Sequence, residues 1–309
     1  MRIQLYFRIL LSLFVLISLN SMGQQMPHFS QYMFNDFFLN PAIAGTKEKT
    51  EVKLTLRNQW SNFEESPKTQ TFGFNTNYFD NMGLGAIILN DKTGPLNQTG
   101  LEIAYAYHLQ LDDNSKLSLG LSAKAVQYVL NVSKLELEDP NDNTILFGNS
   151  EDKSMVPDAS FGAYYYSDKL FAGISIPQLF QTSIRYDGSA GRINKEVRHY
   201  YLYGGYSFAI NEDFEVQPSL LIKTILKAPT QLDFNVKATY KNLFWLGTSY
   251  RHKESSIVML GLKWEKISIG YAYDYSITNI RKYSSGSHEI MLGLDIETKD
   301  LKPSVSRFK

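Results

Sequence analysis

The chain has 309 residues, no cysteine, and 31 basic side chains against 31 acidic ones. That balance excludes a disulfide scaffold, a thiolate metal site and a broad basic footprint for nucleic acid. Forty-three per cent hydrophobic and 20% charged residues fit a soluble protein or a barrel with a polar lumen, but 14% aromatics, with 20 Tyr and 19 Phe, fit interfacial girdles better.

Residues 1–23 read as a signal peptide. Arg2 and Arg8 precede the apolar run Ile9 to Leu19, and Ser21-Met22-Gly23 supplies a small-x-small cleavage site. No cysteine follows for a lipid anchor, and no later run approaches the ~20 apolar residues of a helical span, so any membrane crossing is expected from strands. Residues 24–49 lack strand alternation. Proline pushes its predecessor out of the helical region, so the chain must turn at Asn40-Pro41. This stretch is expected to be a plug folded into a lumen or a periplasmic lead-in beneath it. Its aromatics, among them Phe29, Tyr32 and Phe34, need cover from water.

Residues 50–296 alternate. In Leu232-Asp233-Phe234-Asn235-Val236-Lys237-Ala238-Thr239-Tyr240 every second residue is apolar, and a Lys241-Asn242 turn leads into Phe244, Leu246, Thr248 and Tyr250. Successive side chains on a strand face opposite ways, so the pattern describes a sheet with one apolar and one wet wall. The spacing predicts about fourteen strands, roughly 50–58, 69–78, 83–91, 99–110, 116–130, 158–167, 170–178, 196–210, 214–227, 230–240, 243–251, 256–265, 267–276 and 288–296. Tight connections at Asp80 to Met82, Asp112 to Ser115, Ser167 to Lys169, Asn211 to Asp213, Lys241-Asn242 and Glu265-Lys266 alternate with mostly longer ones. The longer set includes Lys92 to Gln98, Asn131 to Pro157 and Leu179 to Lys195. An even count puts both ends and every tight turn on one side, the periplasmic side of an antiparallel transmembrane barrel. Residues 297–309 then form a charged periplasmic tail containing Pro303.

Parity places Arg57, Glu102, His108, Lys124, Lys223, Asp233, Lys237, Arg251, Lys263, Asp274 and Asp295 on the inner wall. Mixed signs spread along the chain describe a paired or hydrated lumen more simply than a selectivity ring. The acidic loop Glu136 to Lys153 starts a calcium-like spacing at Asp139, Asn141 and Asn143 but lacks the central glycine and closing glutamate. The five histidines form no metal-binding pair. Gly204-Gly205 fits a barrel bend or the close approach of a plug better than a phosphate cradle. No catalytic residue, metal site or cofactor is expected.

Several segments, taken in order, resemble the PorP/SprF family of type IX secretion proteins. They are Phe29-Ser30-Gln31-Tyr32-Met33-Phe34-Asn35, Asn40-Pro41-Ala42-Ile43-Ala44-Gly45, Arg57-Asn58-Gln59-Trp60, Tyr105-Ala106-Tyr107-His108 and Arg198-His199-Tyr200-Tyr201. Further on come Lys227-Ala228-Pro229-Thr230-Gln231-Leu232-Asp233, Gly270-Tyr271-Ala272-Tyr273-Asp274-Tyr275-Ser276 and Gly286-Ser287-His288-Glu289-Ile290-Met291-Leu292. The resemblance implies an outer-membrane barrel similar to the long-chain fatty-acid transporter fold, in Gram-negative bacteria of the Bacteroidota type. It implies a non-enzymatic role in type IX secretion: capturing or anchoring a secreted partner by its C-terminal sorting domain, in gliding relatives a mobile adhesin. Periplasmic machinery and outer-membrane lipid are the other expected partners. The alternative is a transporter for small hydrophobic molecules. From position near the outer ends of strands, Trp60, Tyr128 and Phe180 are the expected partner-binding residues.

Overall fold

An isolated strand edge leaves a row of unsatisfied N–H and C=O groups, which closure removes. The computed structural model describes residues 26–47, 49–79, 81–135, 151–185, 193–226 and 228–297. In it, fourteen antiparallel strands close on themselves. They are β1 (Lys49–Asn58), β2 (Lys68–Phe79), β3 (Met82–Thr93), β4 (Leu96–Asp112), β5 (Ser115–Asn131), β6 (Glu151–Ser167) and β7 (Leu170–Ile176). There follow β8 (His199–Tyr206, resumed at Phe208–Ala209), β9 (Phe214–Ile225), β10 (Ala228–Tyr240), β11 (Phe244–Arg251), β12 (Ser255–Trp264), β13 (Ile267–Ser276) and β14 (Ser287–Glu297). Neighbours in sequence are neighbours in the wall, and β1 seals the ring on β14 from Lys49↔Glu297 to Asn58↔His288. The signal-peptide stretch 1–23, residues 136–150 of the acidic loop and residues 298–309 of the tail lie outside the described residues.

Alternation decides which wall each side chain joins. Along β11 and β12, Leu246, Val258 and Leu260 are exposed on the outside, whereas Ser249, Arg251, Ile257 and Met259 are buried inside. The tight turns use the chemistry their geometry demands. Lys241 and Asn242 both take positive φ, 51° and 53°, in a three-residue turn that Leu243 N closes on Tyr240 O at 2.9 Å between the paired Tyr240 and Phe244. At 112–115 the Asp112 carboxylate accepts from Asn114 N (2.9 Å) and Ser115 Oγ (2.6 Å).

Three features depart from the expected pattern. Strands β4, β5 and β6 each run 17 residues. The expected loop at 92–98 shrinks to Gly94-Pro95, with Gly94 at φ +56°. Beyond the lipid both faces of a strand are wet, so Leu96-Asn97-Gln98 and Glu151-Asp152-Lys153-Ser154 carry no apolar alternation to mark them as strand. The expected loop Leu179 to Lys195 contains a two-stranded hairpin, Ser183–Arg185 with Ile193–Lys195. Finally, β8 is interrupted at Ser207. Regular β8–β9 pairing stops at Gly205↔Ser219, next to Pro218, which has no N–H to offer the ladder.

The outer wall supplies the first test. Leu260→Arg, in mid-strand on the apolar face, should lower folding stability in lipid vesicles by about 2–4 kcal/mol. An unchanged urea midpoint would mean that this face does not meet lipid.

Candidate functional site

The lumen is occupied by the chain's own residues 26–47, whose side chains are mostly buried. Two short 3-10 turns, Asp36–Phe38 and Pro41–Ile43, shape the segment. Asn40, extended as a residue before proline must be, caps the second turn by accepting from Ala42 N at 2.9 Å. Proline at the first position of that turn loses no hydrogen bond, because its N–H would be an orphan there. The other end of the Asn40 side chain reaches the wall. Its Nδ2 lies 3.1 Å from Ala163 O, 3.2 Å from Ile174 O and 3.1 Å from Tyr203 Oη.

Wall glycines make this contact possible. A Cβ on Gly162 would sit 1.7 Å from Asn40 Oδ1, one on Gly120 2.2 Å from Ala42 N, and one on Gly83 1.9 Å from Ala44 O. The segment lies backbone against backbone on β3 and β5 and sets the Asn40 side chain and Pro41 ring on β6, with Ala42, Ile43 and Ala44 fully buried. His108 Nε2 donates to Ala44 O (3.0 Å), which leaves its Nδ1 to accept from Tyr166 Oη (3.1 Å). Ser175 Oγ donates to Leu39 O at 2.6 Å. Gly205, by contrast, makes room for the Phe171 ring rather than for the lumen segment.

The earlier half of the segment is held by charge. Glu289 on β14 accepts from Ser30 N (2.7 Å) and Gln31 N (2.9 Å), one carboxylate oxygen to each amide. Arg57 on β1 donates to Ser30 Oγ (2.6 Å), Glu289 Oε2 (3.3 Å) and Asp274 Oδ2 (3.0 Å). Arg251 Nη1 lies 3.6 Å from Asp274 Oδ2, and its Nε donates to Asp233 Oδ2 at 3.4 Å. Lys223 on β9 ends the belt, 3.5 Å from Asp233 and 3.1 Å from His28 Nδ1. Three cations thus face three carboxylates around half the barrel, all buried. Beside them Phe34 stacks on Trp245, centroids 3.7 Å apart, and Lys53 Nζ donates to Phe34 O at 2.5 Å.

His28 must be neutral to accept from Lys223. Burial, reinforced by the neighbouring Lys223, Arg251 and Arg57, holds its pKa well below the ordinary value. In the released segment it titrates near ~6.5.

Of the expected partner-binding residues, Trp60 opens the β1–β2 loop at φ 53° and donates its amide to Ser287 Oγ at 3.0 Å. Phe180 is 67% exposed on the β7–β8 connection. Tyr128 is 5% exposed beneath that connection and donates to Glu196 Oε1 at 2.8 Å. The residues 29, 32, 34, 40 and 41 singled out from sequence all lie in the lumen segment, with Phe29, Tyr32, Asn40 and Pro41 buried and Phe34 partly so. Sequence reasoning quoted Glu289 in a family block but left it off the inner wall, and it passed over Trp245. Glu289 shares the parity of Asp295 on the same strand, which was a sufficient signal to place it inward.

A closed wall of apolar exterior whose polar lumen holds the N-terminal segment defines an outer-membrane β-barrel, and that is the class of this protein. The sequence from 21 to 294 matches the model of the type IX secretion system membrane protein PorP/SprF, and the chain belongs to that family. No curated protein matches it at the sequence level. Among solved structures, the Ralstonia pickettii toluene transporter TbuX is similar, with a TM-score of 0.52 at 11% identity, covering 90% of this chain and 96% of that one. A Pseudomonas aeruginosa FadL homologue aligns at a TM-score of 0.48 and 10% identity, covering 89% and 95%. At these identities the TbuX likeness concerns the fold alone.

Two tests follow from the lumen geometry. Gly120→Ala should unseat residues 40–44, and Glu289→Ala should weaken the hold on residues 30 and 31 by about 1–3 kcal/mol for each of the two buried amides that lose their acceptor. Both would register as faster amide hydrogen exchange in the lumen segment with the barrel strands unaffected; equal exchange would sink the assignment. Protons bind the released segment more readily than the seated one. Docking of residues 28–34 is therefore fully present above about pH 6.5 and weakens as the pH falls below it. His28→Gln should flatten that dependence.

Proposed function

We propose that this barrel is a surface anchor of the type IX pathway. It captures a secreted partner by the partner's C-terminal sorting domain and retains it at the outer rim, without catalysis. The observation that carries this reading is the occupied lumen. Residues 26–47 are tied to the wall on one side through the glycine contacts and on the other through Glu289 and Arg57. A conduit for a polypeptide would have to break both sets of ties, whereas an anchor needs only its rim.

Trp60 and Phe180 are the proposed contact residues at the long-loop end, with Tyr128 buried under the same connection as Phe180, against Ile184 and Glu196. A few desolvated aromatics dominate most such interfaces, so the pair matters more than total area. The lumen segment acts as a plug. Residues 1–23 act as the export signal, and the stretch beyond Glu297 faces periplasmic machinery at the tight-turn end. A mobile adhesin of a gliding cell is one class of cargo that fits.

A second reading, passage of small hydrophobic molecules, draws support from a cavity of ≈ 90 Å³ between the plug and the wall, lined in part by Phe37, Phe38, Ile87, Leu89 and Val126. TbuX, described as a toluene transporter, shares the fold, which makes the reading worth testing.

The two readings separate in one experiment. A tagged chain is purified from its native outer membrane in mild detergent, and whatever stays bound is identified by mass spectrometry. Anchoring predicts one large secreted protein with a C-terminal sorting domain, lost or reduced about tenfold or more, roughly 1.4 kcal/mol per tenfold, in a Trp60→Ala/Phe180→Ala double variant. Recovery of the barrel alone, together with solute uptake after reconstitution, would overturn anchoring in favour of transport.

A further inference from the structure

The outside of the wall changes character toward the long-loop ends of β2 and β3. Their outward-facing pairs run Phe72↔Ile88, Gln70↔Asn90 and Lys68↔Lys92 in that direction. Phe72, Ile88 and, next to Ile88 on β4, Leu101 are exposed, as lipid-facing residues are. Gln70 and Asn90 end this apolar column, and Asn90 Nδ2 donates to Thr99 Oγ1 at 2.9 Å. One further pair is about 6.7 Å of strand, which a tilt of about 40° turns into about 5 Å of height, and the headgroup layer is about 5–8 Å deep on each side. Lys68 and Lys92 therefore stand at headgroup height.

Three connections fold around these two lysines. The β1–β2 loop is drawn in by Gln59 N donating to Pro67 O at 2.9 Å, and Gly94 N of the β3–β4 turn donates to Glu65 O at 3.0 Å. Asn131 N, at the end of β5, donates to Pro95 O at 2.9 Å. The 3-10 turn Val132–Lys134 that follows brings Lys134 Nζ to 2.5 Å from Glu65 Oε1. Between them lies a cavity of ≈ 150 Å³ lined by Glu65, Ser66, Lys68, Lys92, Gly94 and Lys134. Three ammonium groups against one carboxylate leave two positive charges there. Glu65 is taken by Lys134, and neither Lys68 nor Lys92 has an ion-pair partner among the described residues. Like charges placed directly opposite on paired strands destabilise the pair, so an anion between them relieves a cost built into the wall.

We propose that Lys68, Lys92 and Lys134 bind the phosphate group of a glycolipid in the outer leaflet of the membrane. A phosphate monoester carries about −1.5 to −2 charges at neutral pH, which matches the two uncompensated positive charges, and its three strong acceptor oxygens can take one ammonium each. Basic pockets at headgroup level recognise anionic lipids by this chemistry. The occupant is a lipid rather than free phosphate because the lysines continue the outward-facing column of Phe72 and Ile88. A headgroup held at Lys68 and Lys92 lays its acyl chains along that exposed apolar surface. The site lies on the outside of the wall, so it stands or falls independently of the anchoring role.

The test is a titration of the full chain, in a neutral detergent, with diphosphoryl lipid A, the bound lipid being counted by native mass spectrometry. One saturable lipid A per barrel is expected. Each lysine removed should weaken it about fivefold, so Lys68→Gln/Lys92→Gln should weaken it roughly 30-fold. These are exposed positions, where such changes leave folding nearly untouched. Lys241→Gln/Lys266→Gln removes the same charge at the tight-turn end and should leave binding unchanged. Equal losses in the two double variants would reduce the effect to net charge and overturn the site. Equal retention of lipid A stripped of its phosphates would overturn it as well. Displacement of lipid A by inorganic phosphate at equal concentration would make the cavity a free-anion site and overturn the lipid assignment.

Discussion

Glu289 is the group on which the interior depends. Its carboxylate takes one amide of the lumen segment on each oxygen, and Arg57 ties the same carboxylate to Asp274. A buried charge is tolerable only when paired and fully hydrogen-bonded, so the segment's backbone is part of the solution to the wall's own electrostatics. Removing residues 26–34 would strand Glu289, while removing Glu289 would strand two amides and weaken the belt at Arg57. Neither half is complete alone. The belt balances only with His28 neutral, which is the form that its bond from Lys223 requires.

The other half of the segment is fixed by shape. Backbone atoms of Ala42 and Ala44 occupy space that any Cβ at Gly120 or Gly83 would need. Glycine weakens a strand in isolation, yet here it exchanges strand propensity for close approach of a second backbone. Asn40 then supplies wall-facing hydrogen bonds where a side chain is absent at Gly162.

Much of the fold was legible in the sequence because lipid imposes period two. Wherever one face met lipid and the other the lumen, the alternation of Leu232 to Tyr240 or of Phe244 to Arg251 gave the strand and its parity. The same signal vanished at Leu96 to Gln98 and Glu151 to Ser154, where water lies on both faces. The site was less legible. Asn40-Pro41 announced a turn, but the partners that give the turn its place, Ala163, Ile174 and Tyr203, lie more than a hundred positions away. Gly83, Gly120 and Gly162 carried no local mark separating them from Gly205, which serves a neighbouring ring instead. Tyr128 lay near the outer end of its strand as expected, yet the fold-back of the β7–β8 connection buried it, an event set by long-range contacts such as Leu179 to Ala159.

The lumen segment is therefore held by two attachments of different physical kind. The contact of residues 40–45 with the glycine wall is short-ranged and carries no ion pair, so salt acts on it little and a change of shape is what releases it. The attachment of residues 28–34 is electrostatic and buried, so salt screens it little, but any group that alters the charge count of the belt acts on it directly. A perturbation from solution thus reaches the first half of the segment and leaves the second in place. At the long-loop end the described parts of the β7–β8 connection, residues 177–185 and 193–198, rest on β5 and β6, the side on which residues 40–45 are fixed. The glycine-fixed half of the lumen segment and the folded-back rim therefore share the same strands, β5 and β6.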